Sequence, residues 1–229
     1  MKLCIDAGHN YSGFDTGATG NGLKEQNITF PVCQFLKNKL EQAGITVVMT
    51  RETLTQNLGT SVNSSLKKRA EISNNEKCDY FISIHCNAGG GTGTEVLILK
   101  RGGQAEQLAK PVLQSIVSRF NLRNRGVKES NLSVLRNTDC PAILVELAFI
   151  DHPSDAVLLK NQQEAFADAV FLGVMEYLGL PVSSESANIR SFLTQKWNLS
   201  HPDAVFALLD SHPYASDLYQ KIYESYKRS

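Results

Sequence analysis

Five short, largely β-branched apolar runs recur near residues 2–6, 45–50, 79–85, 94–99 and 142–147, and segments of helical period separate most of them. Strands that alternate with amphipathic helices must be covered from both sides. The pattern therefore predicts an α/β fold, a twisted, mostly parallel sheet with helices on both faces. The clearest helix is 103–120, where Ala105, Leu108, Ala109, Val112, Leu113, Ile116, Val117 and Phe120 make a complete i, i+3, i+4, i+7 stripe. Residues 27–43 carry Ile28, Val32, Phe35, Leu36, Leu40 and Ala43 and close on Gly44, the residue type that best tolerates a left-handed helix end. Pro31 is expected in the first turn of that helix, where a missing N–H costs nothing. Two further helices are expected at 62–75 and 161–178. The Arg125–Gly126 turn, followed by short runs around Val127 and Val134–Leu135, suggests a small antiparallel excursion before the last strand.

In an open α/β sheet, ligands bind beyond the carboxyl ends of the strands. Three hydrophilic residues stand at such ends here: His9 after Leu3–Gly8, His85 after Tyr80–Ile84, and Glu146 after Ala142–Val145. A fourth, Glu25, opens the helix expected at 27–43. Two imidazoles and a carboxylate suit Zn²⁺ with one position left for water, and a second carboxylate could take that water's proton. Each residue also has a plainer reading: a strand-end His is commonly a hydrogen-bonded structural group, and a Glu at a helix start serves the helix dipole. Spacings of 16 and 60 residues from His9 to Glu25 to His85 are not a local signature. Gly89–Gly93 lacks the Gly-Lys-Ser/Thr ending of a phosphate loop and leads into a strand, so it is expected to be a flexible loop at the site rim.

Charge and cysteine content narrow the function classes. Lys+Arg and Asp+Glu number 23 each, so no global field recruits nucleic acid or an anionic membrane. The local basic run Arg119–Arg125 reads as a solvated turn. Five cysteines, odd in number and without Cys-x-x-Cys spacing, read as reduced core residues. Cys86 adjoins His85, but strand alternation turns it to the other face. No apolar stretch approaches the ~20 residues of a membrane span, so no membrane insertion is expected. Lys2 is followed by only three apolar residues before Asp6, so the chain is expected to be made without a signal peptide.

The 229 residues allow one substantial core with a small appendage. Residues 1–180 are expected to form the main domain and the polar stretch 181–186 a linker. Three helical patterns near 187–197, 202–211 and 214–227 suggest a small C-terminal helical unit, 187–229. Its Phe192, Trp197, Phe206, Leu209, Ile222 and Tyr226 could form a mini-core that packs on the main domain, on a second copy to make a homo-oligomer, or on a ligand.

Seven stretches carry a resemblance. They are Ile5–His9; Asp15–Ala18 with Gly22–Glu25; Gly44–Arg51; Leu66–Ala70 through Asn74; Asp79–Ala88; Asn124–Lys128 running to Arg136; and Pro141–Ile150. In this order they resemble the zinc-dependent N-acetylmuramoyl-L-alanine amidases of bacterial cell-wall turnover, type 3 catalytic class, across residues 1–179. The resemblance implies that His9, Glu25 and His85 ligate a single Zn²⁺ and that Glu146 is the catalytic carboxylate. The chain departs from the family pattern in two places: Ala7 and Asn10 replace its usual Pro and further Gly, and His152 stands where Asn is usual. Asn87 and Arg69 lie in matched stretches, with either substrate-side or backbone-supporting roles open to them.

The activity implied is hydrolysis of the amide joining the muramic acid lactyl group to L-alanine in peptidoglycan. The setting it suggests is a phage- or prophage-type endolysin, or a mother-cell lysis enzyme, released to act on the wall. The metal triad alone would also suit a carboxypeptidase or deacetylase acting on another wall bond. A non-catalytic wall-binding module would be favoured by loss of a ligand or of Glu146, and all four residues are present.

Overall fold

The first apolar run forms strand β1 (Lys2–Ala7), buried from Leu3 onward. The computed structural model describes residues 1–180, so the linker and helical unit expected over 181–229 lie outside the described residues. After β1 come a two-strand ribbon, β2 (Thr19–Gly20) and β3 (Leu23–Lys24), and helix α1 (Gln26–Gln42). Strand β4 (Thr46–Met49), helix α2 (Val62–Asn75) and strands β5 (Tyr80–Asn87) and β6 (Thr94–Ile98) follow. Helix α3 (Gln104–Phe120), strand β7 (Asn124–Glu129), helix α4 (Ser133–Arg136), strand β8 (Ala142–Phe149) and helices α5 (Pro153–Asn161) and α6 (Gln163–Leu178) complete the order.

The main sheet runs β4-β1-β5-β8-β6-β7. Strands β4, β1, β5 and β8 are mutually parallel. Strand β6 pairs antiparallel with β8 and parallel with β7, so the sheet reverses direction once, at the β8–β6 seam. That seam corrects the antiparallel excursion expected from residues 125–135. Arg125 and Gly126 lie inside β7 at a register irregularity, and Val134–Leu135 belong to α4. The polar, Gly-containing run Asn124–Glu129 hides a strand because β7 is an edge, where one side faces solvent.

Alternation along the strands sorts the core. Cys4, Phe81 and Leu144 face one side with Leu66 of α2 and Val134 and Leu135 of α4. Helices α1, α3 and α6 pack together on the other. α2 starts on a capping box in which the Ser61 hydroxyl accepts from the Ser64 N–H, satisfying a donor the first turn leaves over. Helix α1 starts at Gln26, so Pro31 sits in its second turn, not its first, and leaves the Asn27 carbonyl without its helical partner. The Asn21–Gly22 pair turns the β2–β3 ribbon with φ of 49° and 74°, the double left-handed conformation of a tight hairpin. All five cysteines are free, four of them buried. No helix among the described residues is long and apolar enough to cross a membrane.

Candidate metal centre

The carboxyl ends of β1 and β5 lie side by side, with Ala7 opposite Ile84. This register brings His9 against His85, their ring centroids 4.7 Å apart and nearly perpendicular. His9 sits at φ 65°, a left-handed conformation uncommon for a side-chain-bearing residue, and the loop around it is held from several directions. Asn10 donates from Nδ2 to the carbonyls of Phe14 (3.1 Å) and Leu58 (3.0 Å) and accepts the Leu58 N–H (2.9 Å). Arg69, fully buried, donates from Nη1 to Asp6 Oδ1 (2.7 Å) and the Ala7 carbonyl (2.8 Å). It thus takes the backbone-supporting, ion-pair role. At Gly8 a Cβ would lie 2.5 Å from the His85 ring and 2.7 Å from the Ile84 carbonyl oxygen, so only glycine lets β1 and the imidazole approach so closely.

Glu25 enters from the start of α1 and faces both imidazoles. Its Oε2 is 3.2 Å from His9 Nε2, and its Oε1 is 3.0 Å from His85 Nδ1. Backbone N–H groups fix the carboxylate as well, Ala18 donating to Oε2 and Cys86 to Oε1, each at 2.8 Å. Ligand atoms of His9, Glu25 and His85 all lie within 4.8 Å of one another, and these three form the group among the described residues that could hold a metal ion. Behind them, Asp15 Oδ1 lies 3.2 Å from His9 Nδ1, the carboxylate–imidazole pairing that orients a metal-binding His. Burial lowers the His9 pKa, but Asp15 and Glu25 outweigh it and raise the imidazole to about 9. Burial likewise opposes ionisation of Glu25, yet the two imidazoles hold its pKa well below the usual range. The pocket's field favours a cation between these groups, and its N, N, O donor set fits Zn²⁺.

Glu146 of β8 stands directly opposite His85 of β5 on one side and Glu95 of β6 on the other. Cross-strand partners share a face, so the three side chains form a row across the sheet. The Glu146 Oε2 atom is buried and has no hydrogen-bond partner. Burial pushes its carboxyl up to about 7; His85 pulls it back, while Glu25 and Glu95 add to the rise. A carboxylate poised near neutrality with one free oxygen can both accept and return a proton.

All four residues singled out from sequence therefore converge here, while the other expectations fare unevenly. The Gly89–Gly93 loop is hydrogen-bonded by two carboxylates: Asp151 Oδ2 accepts the N–H groups of Gly89 (2.7 Å) and Gly90 (2.8 Å), and Asp155 accepts from Thr92 and Gly93. His152 stands at the N-cap position of α5, its ring beside Ser154 and Asp155. The Cys86 side chain is buried, and that residue serves the site through its backbone N–H. Asn87 bonds Glu95 at 2.9 Å. Sequence reading gave Asp15 and Glu95 no role of their own, because each acts only through partners brought near by folding.

A family model described as N-acetylmuramoyl-L-alanine amidase matches residues 3–176. The chain is 38% identical to the N-acetylmuramoyl-L-alanine amidase CwlM of Bacillus licheniformis over 176 residues, 76% of this chain and 65% of that protein. It is also 38% identical to the sporulation-specific N-acetylmuramoyl-L-alanine amidase of Bacillus subtilis (strain 168) over 164 residues, 70% of this chain and 61% of that one. The match spans somewhat less than two thirds of both relatives. The crystal structure of N-acetylmuramoyl-L-alanine amidase from Clostridium difficile 630 superposes with a TM-score of 0.70 at 34% identity, covering 78% of this chain and 96% of that one.

Proposed function

The chain belongs to the N-acetylmuramoyl-L-alanine amidase family, and from that premise we propose that it hydrolyses the amide between the muramic acid lactyl group and L-alanine in the cell wall. The observation that carries this reading is the free Glu146 Oε2 set in the same row as His85 beside a His9–Glu25–His85 donor set. His9 Nε2, His85 Nδ1 and the Glu25 carboxylate would hold Zn²⁺, with Asp15 keeping the His9 ring in place. Bound there, the ion supplies Lewis-acid polarisation of the scissile carbonyl and compensates the developing oxyanion. Glu146 accepts the attacking water's proton at Oε2 and returns it to the departing nitrogen of L-alanine. Digestion of purified peptidoglycan tests the assignment: new L-alanine amino ends and lactyl carboxyls are expected. New ends at another bond would instead make the chain a different wall hydrolase.

Zinc ligation has its own test. His9→Ala and His85→Ala are each expected to lower zinc content by metal analysis from about one ion per chain toward zero, with loss of activity. Stoichiometric zinc in both variants would overturn the ligand set.

Residues 187–229 are proposed to target the enzyme to the wall or to dimerise it, raising effective concentration at the polymer. A chain ending at Ser183 is then expected to keep its rate on a small soluble muropeptide and to lose rate on intact walls. Equal loss on both substrates would make the tail a structural part of the catalytic domain.

A further inference from the structure

The row of side chains across the sheet does not stop at Glu146. Next to it Glu95, nearly buried, gathers three donors: Asn87 Nδ2 at 2.9 Å on Oε1, and Arg125 Nε at 2.7 Å with Lys128 Nζ on Oε2. One carboxylate thus faces two cations. Arg125 spends only its Nε on Glu95; its guanidinium lies over the Phe149 ring, 4.7 Å from the centroid. Its terminal nitrogens have no hydrogen-bond partner among the described residues. Its side chain is 25% exposed and that of Lys128 43%, so water and ligands reach both. An arginine oriented at one end by a buried carboxylate, stacked on an aromatic ring and open at the fork is built to take a planar anion in two parallel hydrogen bonds.

The order of groups says which part of a substrate would meet it. In the proposed reaction Glu146 protonates the leaving nitrogen, so the departing peptide lies on the Glu146 side of the donor set. Glu95 and Arg125 come next in that direction, away from His85. From the scissile nitrogen to the carboxylate of the second stem residue is two residues of extended chain, about 7 Å. Adjacent strands are ~4.8 Å apart, which places that group over β6 and β7. Resting on the amidase reading, we propose that Arg125, flanked by Lys128 and held by the positioning residue Glu95, is a subsite for the free α-carboxylate of the second residue of the stem peptide.

The test compares two muramoyl tripeptides whose second residue is glutamate joined onward through its γ-carboxyl, one with the α-carboxylate free and one with it amidated. The full-length zinc enzyme is expected to favour the carboxylate form in kcat/KM by about 10- to 100-fold, the scale of a charge-assisted, two-point contact. Arg125→Gln should abolish the preference by slowing the carboxylate form alone. Arg125→Lys, which keeps the charge but not the fork, should restore part of it, and this pair of variants separates recognition from any loss of folding. Loss of equal size on both substrates, or a wild-type preference surviving in Arg125→Gln, would overturn the subsite. Release of the L-alanine-ended peptide from the amidated form tests the amidase reading separately, because that substrate offers Arg125 no carboxylate.

Discussion

Glu146→Gln is expected to cut muropeptide hydrolysis by a factor on the order of 10² or more while zinc content stays at that of the wild type. The substitution preserves shape and a hydrogen-bonding oxygen but removes the capacity to take a proton. The environment points to that capacity as the residue's contribution: Oε2 is buried without a partner, and burial has already pushed the carboxyl up to about 7. A group that only filled space beside His85 would tolerate the amide, and its unpartnered oxygen would be no worse off. The readouts are the steady-state rate on a defined muropeptide and metal analysis of the same sample. Near-wild-type turnover would remove Glu146 from proton transfer, and loss of the metal would make it a ligand.

The second large effect is on stability. Asp6 is fully buried and accepts from Arg69 Nη1 (2.7 Å), Thr50 Oγ1 (2.6 Å) and Ser83 Oγ (2.6 Å). Asp6→Asn removes the nearer of the two carboxylates that balance the Arg69 guanidinium inside the protein, leaving Asp15 at 3.6 Å. Breaking a buried ion pair in this way costs about 3–5 kcal/mol, read as a fall in the midpoint of chemical denaturation. Burial alone would raise the Asp6 pKa; Arg69 and the two hydroxyls outweigh it and hold the carboxyl below its usual value. Its stabilising contribution is therefore fully present above the unfolded value of ~3.9 and lost as pH falls through the lower folded value. In Asp6→Asn that part of the acid limb should vanish, and a denaturation midpoint equal to wild type would show that the pair contributes no net stability.

What the sequence made legible follows from which forces are local. Apolar runs around Ile5, Ile82 and Val145 had to be strands, and the stripe Leu108–Val112–Ile116 had to be a helix, because periodicity and burial are written in consecutive residues. His9, Glu25 and His85 stood out as candidates because each stands beside such an element, but their grouping was implied only by the family resemblance of the stretches around them. Helix α5 escaped notice because His152–Asn161 is short and has little apolar periodicity. β7 escaped because its edge position permits Arg125, Gly126 and Lys128 where a central strand would be apolar. The reversal of β6 depends on the register of Glu95 against Glu146, a contact between residues 51 apart that no local pattern encodes. Asp15 orients His9 from a turn whose positive φ gives it no periodic signature.

The strand order also governs when this protein can exist during its own synthesis. β8, the last strand among the described residues, occupies the position between β5 and β6. Until it emerges from the ribosome, β6 and β7 have only each other, and β5 lacks one of its two neighbours. Folding cannot then proceed strand by strand from the amino terminus; it must wait for a long-range insertion that joins the two halves, which is intrinsically slow. The same late strand brings Glu146. A nascent or truncated chain lacking residues 142–149 would hold His9, Glu25 and His85 but no closed sheet and no Glu146. Closure of the sheet and assembly of the His85–Glu146–Glu95 row are thus one event, dependent on residues 142–149.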